Sequence, residues 1–175
     1  MPENTKPAVG WIGLGDQGLP MGVAIAEAGY SLHVWARRPA SLDALAGTSH
    51  VRHGDAKDLA AACDIVGLCV STDDDVLQIV TGGLLDGARP GSVVVNHGTG
   101  TPGNAVRLTE ACAPFGIDVL DASVSGGRPA AAAPGADDAG RRAGARAAGW
   151  LGSLPVAFSA EFDVQRAQVP PAEIV

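Results

Sequence analysis

The chain has 175 residues and a formal charge of −7, enough for one domain of the usual roughly 100–150 residues and a remainder. The negative balance argues against a nucleic-acid partner, since backbone phosphates would be repelled without a local basic stripe. No run reaches the ~18 apolar residues that a membrane span requires, and Cys63, Cys69 and Cys112, without zinc spacing, are read as buried free thiols, so a soluble cytoplasmic protein is expected.

In chain order, Val9–Ile12 is the first predicted strand. It leads through Gly13-x-Gly15-x-x-Gly18 into an Ala-rich segment of helical spacing, about Gln17–Ala28, closed by Gly29. The three glycines then have separate tasks: Gly13 makes the tight turn, Gly15 lets backbone approach a pyrophosphate, and Gly18 lets the helix lie close on the strand. The loop Gly13, Gly15, Gln17, Gly18 is thereby a candidate anion site at a helix N-terminus. Ser31–Ala36 alternates as a second strand, which makes a right-handed βαβ unit. A helix is expected at about Ala40–Leu45, a brief strand at His50–Arg52 and a helix at Ala56–Ala62. Asp64–Val70 is a near-continuous apolar run, as a parallel strand covered on both faces should be. A helix over Asp74–Val80, a turn at Pro90-Gly91, a strand at Ser92–Asn96, a helix over Thr101–Pro114 and a strand at Ile117–Asp121 complete the pattern. Alternating strands and helices predict a doubly wound α/β sheet, with ligand at the carboxyl ends of its strands.

Those ends carry the candidate site. About 20 residues past the glycines, where an NAD-preferring fold presents a carboxylate to the ribose 2′-hydroxyl, stand Ala36 and then Arg37 and Arg38. A guanidinium there favours a 2′-phosphate, so NADP is the expected cofactor, with NAD second. Val70 is expected to pass close to the cofactor, and Asp73–Asp75 to cap and charge the next helix rather than bind metal. Thr99 is expected near the nicotinamide, and His97 to make a structural hydrogen bond.

GWIGLGDQGLPMG, VNHGTGTP and LDASVSGG, in that order, resemble the cofactor loop, nicotinamide-side loop and substrate signature of the β-hydroxyacid dehydrogenases, the 3-hydroxyisobutyrate and 6-phosphogluconate dehydrogenase-like proteins. The resemblance covers Ala8 to Gly127. It implies that Ser125, Gly126 and Gly127 hold a substrate carboxylate, as adjacent glycines with unshielded N–H groups can. It also implies that Thr99 borders the nicotinamide and that Arg37 matches the arginine of NADP-preferring members. The substrate implied is a small hydroxy acid or semialdehyde. Gln17, Ala24, Asn96, Gly98 and Ser123 stand where Met, Asn, Asp, Ser and Pro are usual. Asn96 and the TGTP segment are also similar to imine reductases.

The expected division is a dinucleotide-binding domain over 1–127 and an irregular tail over 128–175, where Ala, Gly, Pro and Arg lose any helical or strand period. The resemblance implies an all-helical second domain with a catalytic lysine, and neither is expected in these 175 residues, whose lysines are Lys6 and Lys57. A reading-frame slip between about Arg128 and Pro134 is the hypothesis for this composition: one choice of codons for Gly135–Arg142, shifted by a base, reads Ala-Leu-Thr-Thr-Leu-Val-Gly, similar to the family's next strand. Uncovered apolar surface at the sheet's far edge would then favour self-association, and a non-catalytic dinucleotide-binding module is the alternative to an enzyme domain.

Overall fold

The computed structural model describes residues 6–122. Six strands, β1 (Ala8–Ile12), β2 (Ser31–Trp35), β3 (Val51–Arg52), β4 (Ile65–Leu68), β5 (Val93–Asn96) and β6 (Asp118–Asp121), form one sheet in the order β3-β2-β1-β4-β5-β6. Every neighbouring pair is parallel. The direction of winding reverses between β1 and β4, so the crevice beyond their carboxyl ends is the topological switch point. All residues of β4 and β5 are buried, which is why both read as unbroken apolar runs.

The helices lie on both faces. α1 (Gly18–Glu27) and a 3-10 helix (Pro39–Leu45) pack Met21, Ile25, Leu42 and Leu45 against Val9, Trp11, Leu32 and Val34. On the other face α2 (Ala56–Ala62), α3 (Asp73–Ile79), α4 (Leu85–Gly87) and α5 (Pro102–Cys112) bring Leu59, Ile79, Leu85 and Leu108 onto Val66, Leu68 and Val94. α1 ends where Gly29, at φ 78°, turns left-handed. The Gly29 N–H then donates to the Ala26 carbonyl at 2.9 Å and the Tyr30 N–H to the Ile25 carbonyl at 3.3 Å. These are the paired bonds of a Schellman stop.

Two stretches depart from the sequence reading. The helix expected at Ala40–Leu45 is a 3-10 helix, and only Leu42 and Leu45 in it are buried; three residues per turn set that pair one directly above the other. The helix expected to end at Val80 widens into a π turn over Val80–Leu84 and resumes as α4. In the structure Gly83, at φ 148°, redirects the chain, and the return leg lies so close to α2 that a Cβ on Gly87 would stand 2.0 Å from the Lys57 carbonyl oxygen. Cys63 and Cys112 are buried and free, and burial pushes their thiols up to about 12 and about 11. Cys69, expected buried, is half-buried, because it leaves the end of β4 for the loop. Among the described residues no helix is long and apolar enough to cross a membrane.

Candidate dinucleotide site

The glycine loop joins β1 to α1 at the switch point. Gly13 has φ 107°, and a Cβ there would stand 2.1 Å from the Cys69 carbonyl oxygen, so the turn is made hard against the end of β4. A Cβ on Gly18 would stand 2.1 Å from the Gly13 carbonyl oxygen, so the first turn of α1 rests on the loop itself. Gly15 differs: among the described residues nothing lies within 4 Å of its Cβ position. The loop thus has two glycines forced by protein backbone and one facing open space that a side chain would fill. No acidic residue stands in the first turn of α1, leaving the N–H groups and dipole of that terminus to an anion. These residues fit a dinucleotide pyrophosphate.

Trp11, not singled out in sequence, holds this loop from below. Its Nε1–H is shared between the Gly13 carbonyl at 3.1 Å and the Gly18 carbonyl at 2.8 Å, and the indole is 2% exposed. The only signal for it was a residue with one polar atom inside an otherwise apolar strand. Buried indole N–H groups seek an acceptor. Trp11→Phe keeps a ring in place and deletes that donor, leaving two loop carbonyls short of a partner. A loss of about 1–3 kcal/mol of stability is expected, with weaker dinucleotide binding; chemical denaturation and cofactor titration of the variant check it.

Beyond β2, Ala36 offers no carboxylate and Arg37 is half-exposed. Its guanidinium pairs through Nη2 with Asp75 in the first turn of α3, and Nη1 donates to Gln78 Oε1 at 3.4 Å. Thr72 caps α3: its Oγ1 accepts from the Asp75 N–H at 3.1 Å and donates to Asp75 Oδ2 at 2.9 Å. Hydrogen bonds from Arg37 and Thr72 hold the Asp75 carboxyl below the usual carboxylate range. Beside this pair opens a groove of about 550 Å³ lined in part by Trp35, Arg37, Lys57 and Gln78.

Thr72 rather than an aspartate caps α3, while Asp73, Asp74 and Asp75 all charge its first turn as expected. Asp73 fastens the loop after β5: Oδ2 accepts from the Thr101 N–H at 3.1 Å and Oγ1 at 2.9 Å, and Oδ1 accepts from Asn104 Nδ2 at 3.1 Å. Asn96, at the end of β5, donates from Nδ2 to Asp121 Oδ1 and accepts the Gly98 N–H, both at 3.1 Å. Burial pushes the Asp121 carboxyl up. A Cβ on Gly98 would lie 3.1 Å from the Val70 carbonyl oxygen, so the loops after β4 and β5 touch there. Val70 is half-buried and Thr99 exposed on the crest of its loop. His97 lies in the core, 4% exposed, its ring 5.2 Å from Trp11 and its Nδ1–H donating to the Ala122 carbonyl at 3.1 Å. Burial pushes its pKa down to about 4, so it is a neutral structural residue near pH 7. Gly13, Gly15, Gln17, Gly18, Arg37, Val70 and Thr99 therefore all follow the carboxyl ends of β1, β2, β4 and β5. Ser125, Gly126 and Gly127 lie outside the described residues.

A six-stranded parallel sheet wound in both directions, with a glycine loop at its switch point, defines a nicotinamide dinucleotide-binding domain. Residues 8–136 match the family model described as the NAD binding domain of 6-phosphogluconate dehydrogenase, and the chain belongs to that family. It is 36% identical over 128 residues to an uncharacterized oxidoreductase of Mycobacterium tuberculosis, covering 72% of this chain and 43% of that protein. The chain thus spans less than half the length of this curated relative. The solved structure of Mycobacterium tuberculosis 3-hydroxyisobutyrate dehydrogenase with L-serine is similar at a TM-score of 0.71 and 25% identity, over 84% of this chain and 53% of that one. An imine reductase from Myxococcus stipitatus in complex with NADP+ is similar at a TM-score of 0.66 and 25% identity, over 70% of this chain and 43% of that one.

Proposed function

We propose that the chain is the NADP-binding domain of an oxidoreductase whose reaction is reversible hydride transfer between the nicotinamide and a small 3-hydroxy acid or semialdehyde. The observation that carries the cofactor is the open cradle at Gly15 on a loop whose other glycines are closed by backbone, with Arg37 and no carboxylate past β2. Gly13, Gly15, Gln17 and Gly18 would hold the pyrophosphate, Arg37 the 2′-phosphate, and Val70 and Thr99 the nicotinamide side. The bound dinucleotide supplies the hydride. The substrate class follows the family resemblance of LDASVSGG, whose Ser125, Gly126 and Gly127 would take the carboxylate, and agrees with the solved 3-hydroxyisobutyrate dehydrogenase neighbour. Asn96 and Thr99–Pro102 support an imine reductase-like substrate as the variant of this reading.

A second reading, a module that binds dinucleotide without turnover, rests on the lysines. Lys6 lies before β1, at the sheet's opposite end, with Nζ donating to the Ala28 carbonyl at 2.6 Å, and Lys57 belongs to α2. Neither belongs to the loop that carries Thr99. NADPH oxidation with a panel of small semialdehydes separates the two: turnover supports the enzyme domain, and binding without turnover supports the module. For the cofactor, NADPH is expected to bind about tenfold more tightly than NADH, the low end of the ~1.5–3 kcal/mol of a charged hydrogen bond because Asp75 shares the guanidinium. Arg37→Ala should remove that gap, and equal titration of both cofactors by the unaltered protein refutes the assignment.

A further inference from the structure

We infer that Asp75 is a specificity-determining residue at the adenosine end of the site: by holding the Arg37 guanidinium, it lowers the protein's preference for a 2′-phosphate over a free 2′-hydroxyl. The inference rests on the proposal that Arg37 faces the ribose 2′ position.

The strand order supplies the geometry. Arg37 follows β2 and Asp75 follows β4, and β1 lies between those strands, so the ion pair bridges the mouth of the sheet over the end of β1, beside the glycine loop. Asp75 does not reach Arg37 on a loose side chain. Oδ1 takes Arg37 while Oδ2 takes the Thr72 hydroxyl, and the same hydroxyl accepts the Asp75 N–H, so the carboxylate is fixed against the helix terminus. Gln78, one turn on along α3, takes the other terminal nitrogen of the guanidinium. Both Nη atoms of Arg37 are therefore already engaged, and the carboxylate is the more protected partner, with 25% of its side chain exposed against 49% for Arg37.

A lone guanidinium offers a phosphate dianion an opposite charge and a planar fork. A guanidinium neutralised by a carboxylate in contact offers much less, because the arriving phosphate is attracted by Arg37 and repelled by Asp75 at nearly the same distance. An incoming 2′-phosphate must compete with Asp75 for the fork, whereas a 2′-hydroxyl carries no charge and can donate to a carboxylate. The residue past β2 sets the sign of the preference, and Asp75, from a different element, sets its size.

Asp75→Asn removes the charge and keeps the shape and the contacts to Thr72. Titrations of the full chain at low salt with NADPH and NADH are expected to show NADPH binding about five- to tenfold more tightly than to the unaltered protein, the scale of an exposed ion pair and its repulsion, with NADH binding changed less than twofold. The gain should shrink in high salt. Asp74→Asn, which removes a neighbouring charge in the same helical turn without touching Arg37, should leave NADPH affinity within twofold. Unchanged or weaker NADPH binding by Asp75→Asn overturns the inference, as does an equal gain from Asp74→Asn. Arg37→Ala alone tests the underlying reading: if it leaves the two cofactors as far apart as before, the 2′ assignment fails independently of Asp75. If the assignment holds, adding Asp75→Asn to Arg37→Ala should relieve only the direct repulsion and bring a smaller gain in NADPH affinity than Asp75→Asn brings with Arg37 in place, and a gain as large overturns the role of Asp75 in holding the guanidinium.

Discussion

Gly15→Val is expected to leave the melting temperature close to that of the unaltered protein and to weaken NADPH binding by at least ~100-fold, about 2.7 kcal/mol, whereas Gly18→Val should cost about 3 kcal/mol of stability or more. The difference follows from what each missing Cβ would meet. At Gly15 it would meet no atom of the described residues within 4 Å, and Gly15 is not among the positive-φ glycines, so the fold accepts the side chain. The branched methyl groups would then occupy the space in which a pyrophosphate must approach the backbone. At Gly18 the Cβ would be driven to 2.1 Å from the Gly13 carbonyl oxygen and 3.2 Å from the Cys69 Cβ, so β1, β4 and α1 would have to separate. Thermal unfolding and calorimetric titration of the two variants check this. NADPH binding by Gly15→Val at unaltered affinity would show that the loop is a turn and nothing more.

Acidification should destabilise the domain well before its carboxylates are protonated. The His97 pKa is about 4 in the fold against 6.5 unfolded, so the unfolded chain takes up the proton more readily. Stability is fully present above pH 6.5 and is lost as the pH falls towards 4, by about 3 kcal/mol over the whole interval at ~1.36 kcal/mol per pH unit. His33, held below its ordinary value by burial and by His53, acts in the same direction. Its Nδ1 lies 2.8 Å from His53 Nε2, where two imidazolium rings would repel. Asp121, raised by burial, acts the opposite way and moderates the loss at the acid end. Denaturant unfolding at pH 7.5, 6 and 5 should therefore show falling midpoints, and His97→Asn, which keeps a donor for the Ala122 carbonyl, should flatten most of the slope. A slope unchanged in that variant would place the proton uptake elsewhere.

The sheet was legible in the sequence because its signals are local. Asp64–Val70 and Ser92–Asn96 are apolar without alternation, and only a strand covered on both faces needs that. The glycines were legible because each task has a backbone reason that no other residue satisfies. Hidden were the contacts that join distant segments. Nothing in STDDDVLQ says that Asp73 will reach Thr101 and Asn104 while Asp75 reaches Arg37, since both pairings depend on which strands become neighbours. The π turn was hidden too: the helix expected to end at Val80 carries on past Gly82-Gly83 because Val80, Leu84 and Leu85 on either side are all drawn into the core. Trp11 was passed over for the opposite reason: a buried aromatic in a central strand reads as packing, and its hydrogen bonds to the loop exist only once Gly13 and Gly18 fold back over it.

The indole of Trp11 also constrains the order in which this sequence can change. A Cβ on Gly67 in β4 would fall 2.3 Å from Cζ3 of Trp11, and one on Gly22 in α1 would lie 3.3 Å from its Cδ1. Gly67 therefore cannot acquire a side chain while the tryptophan is in place. Its replacement by alanine becomes accessible only after Trp11 has given way to a smaller residue, and that first step loosens the glycine loop. Lineages that keep the indole are held to glycine in β4, and those that lose it can exchange a shared donor for a methyl group, so the two positions are expected to drift as a pair.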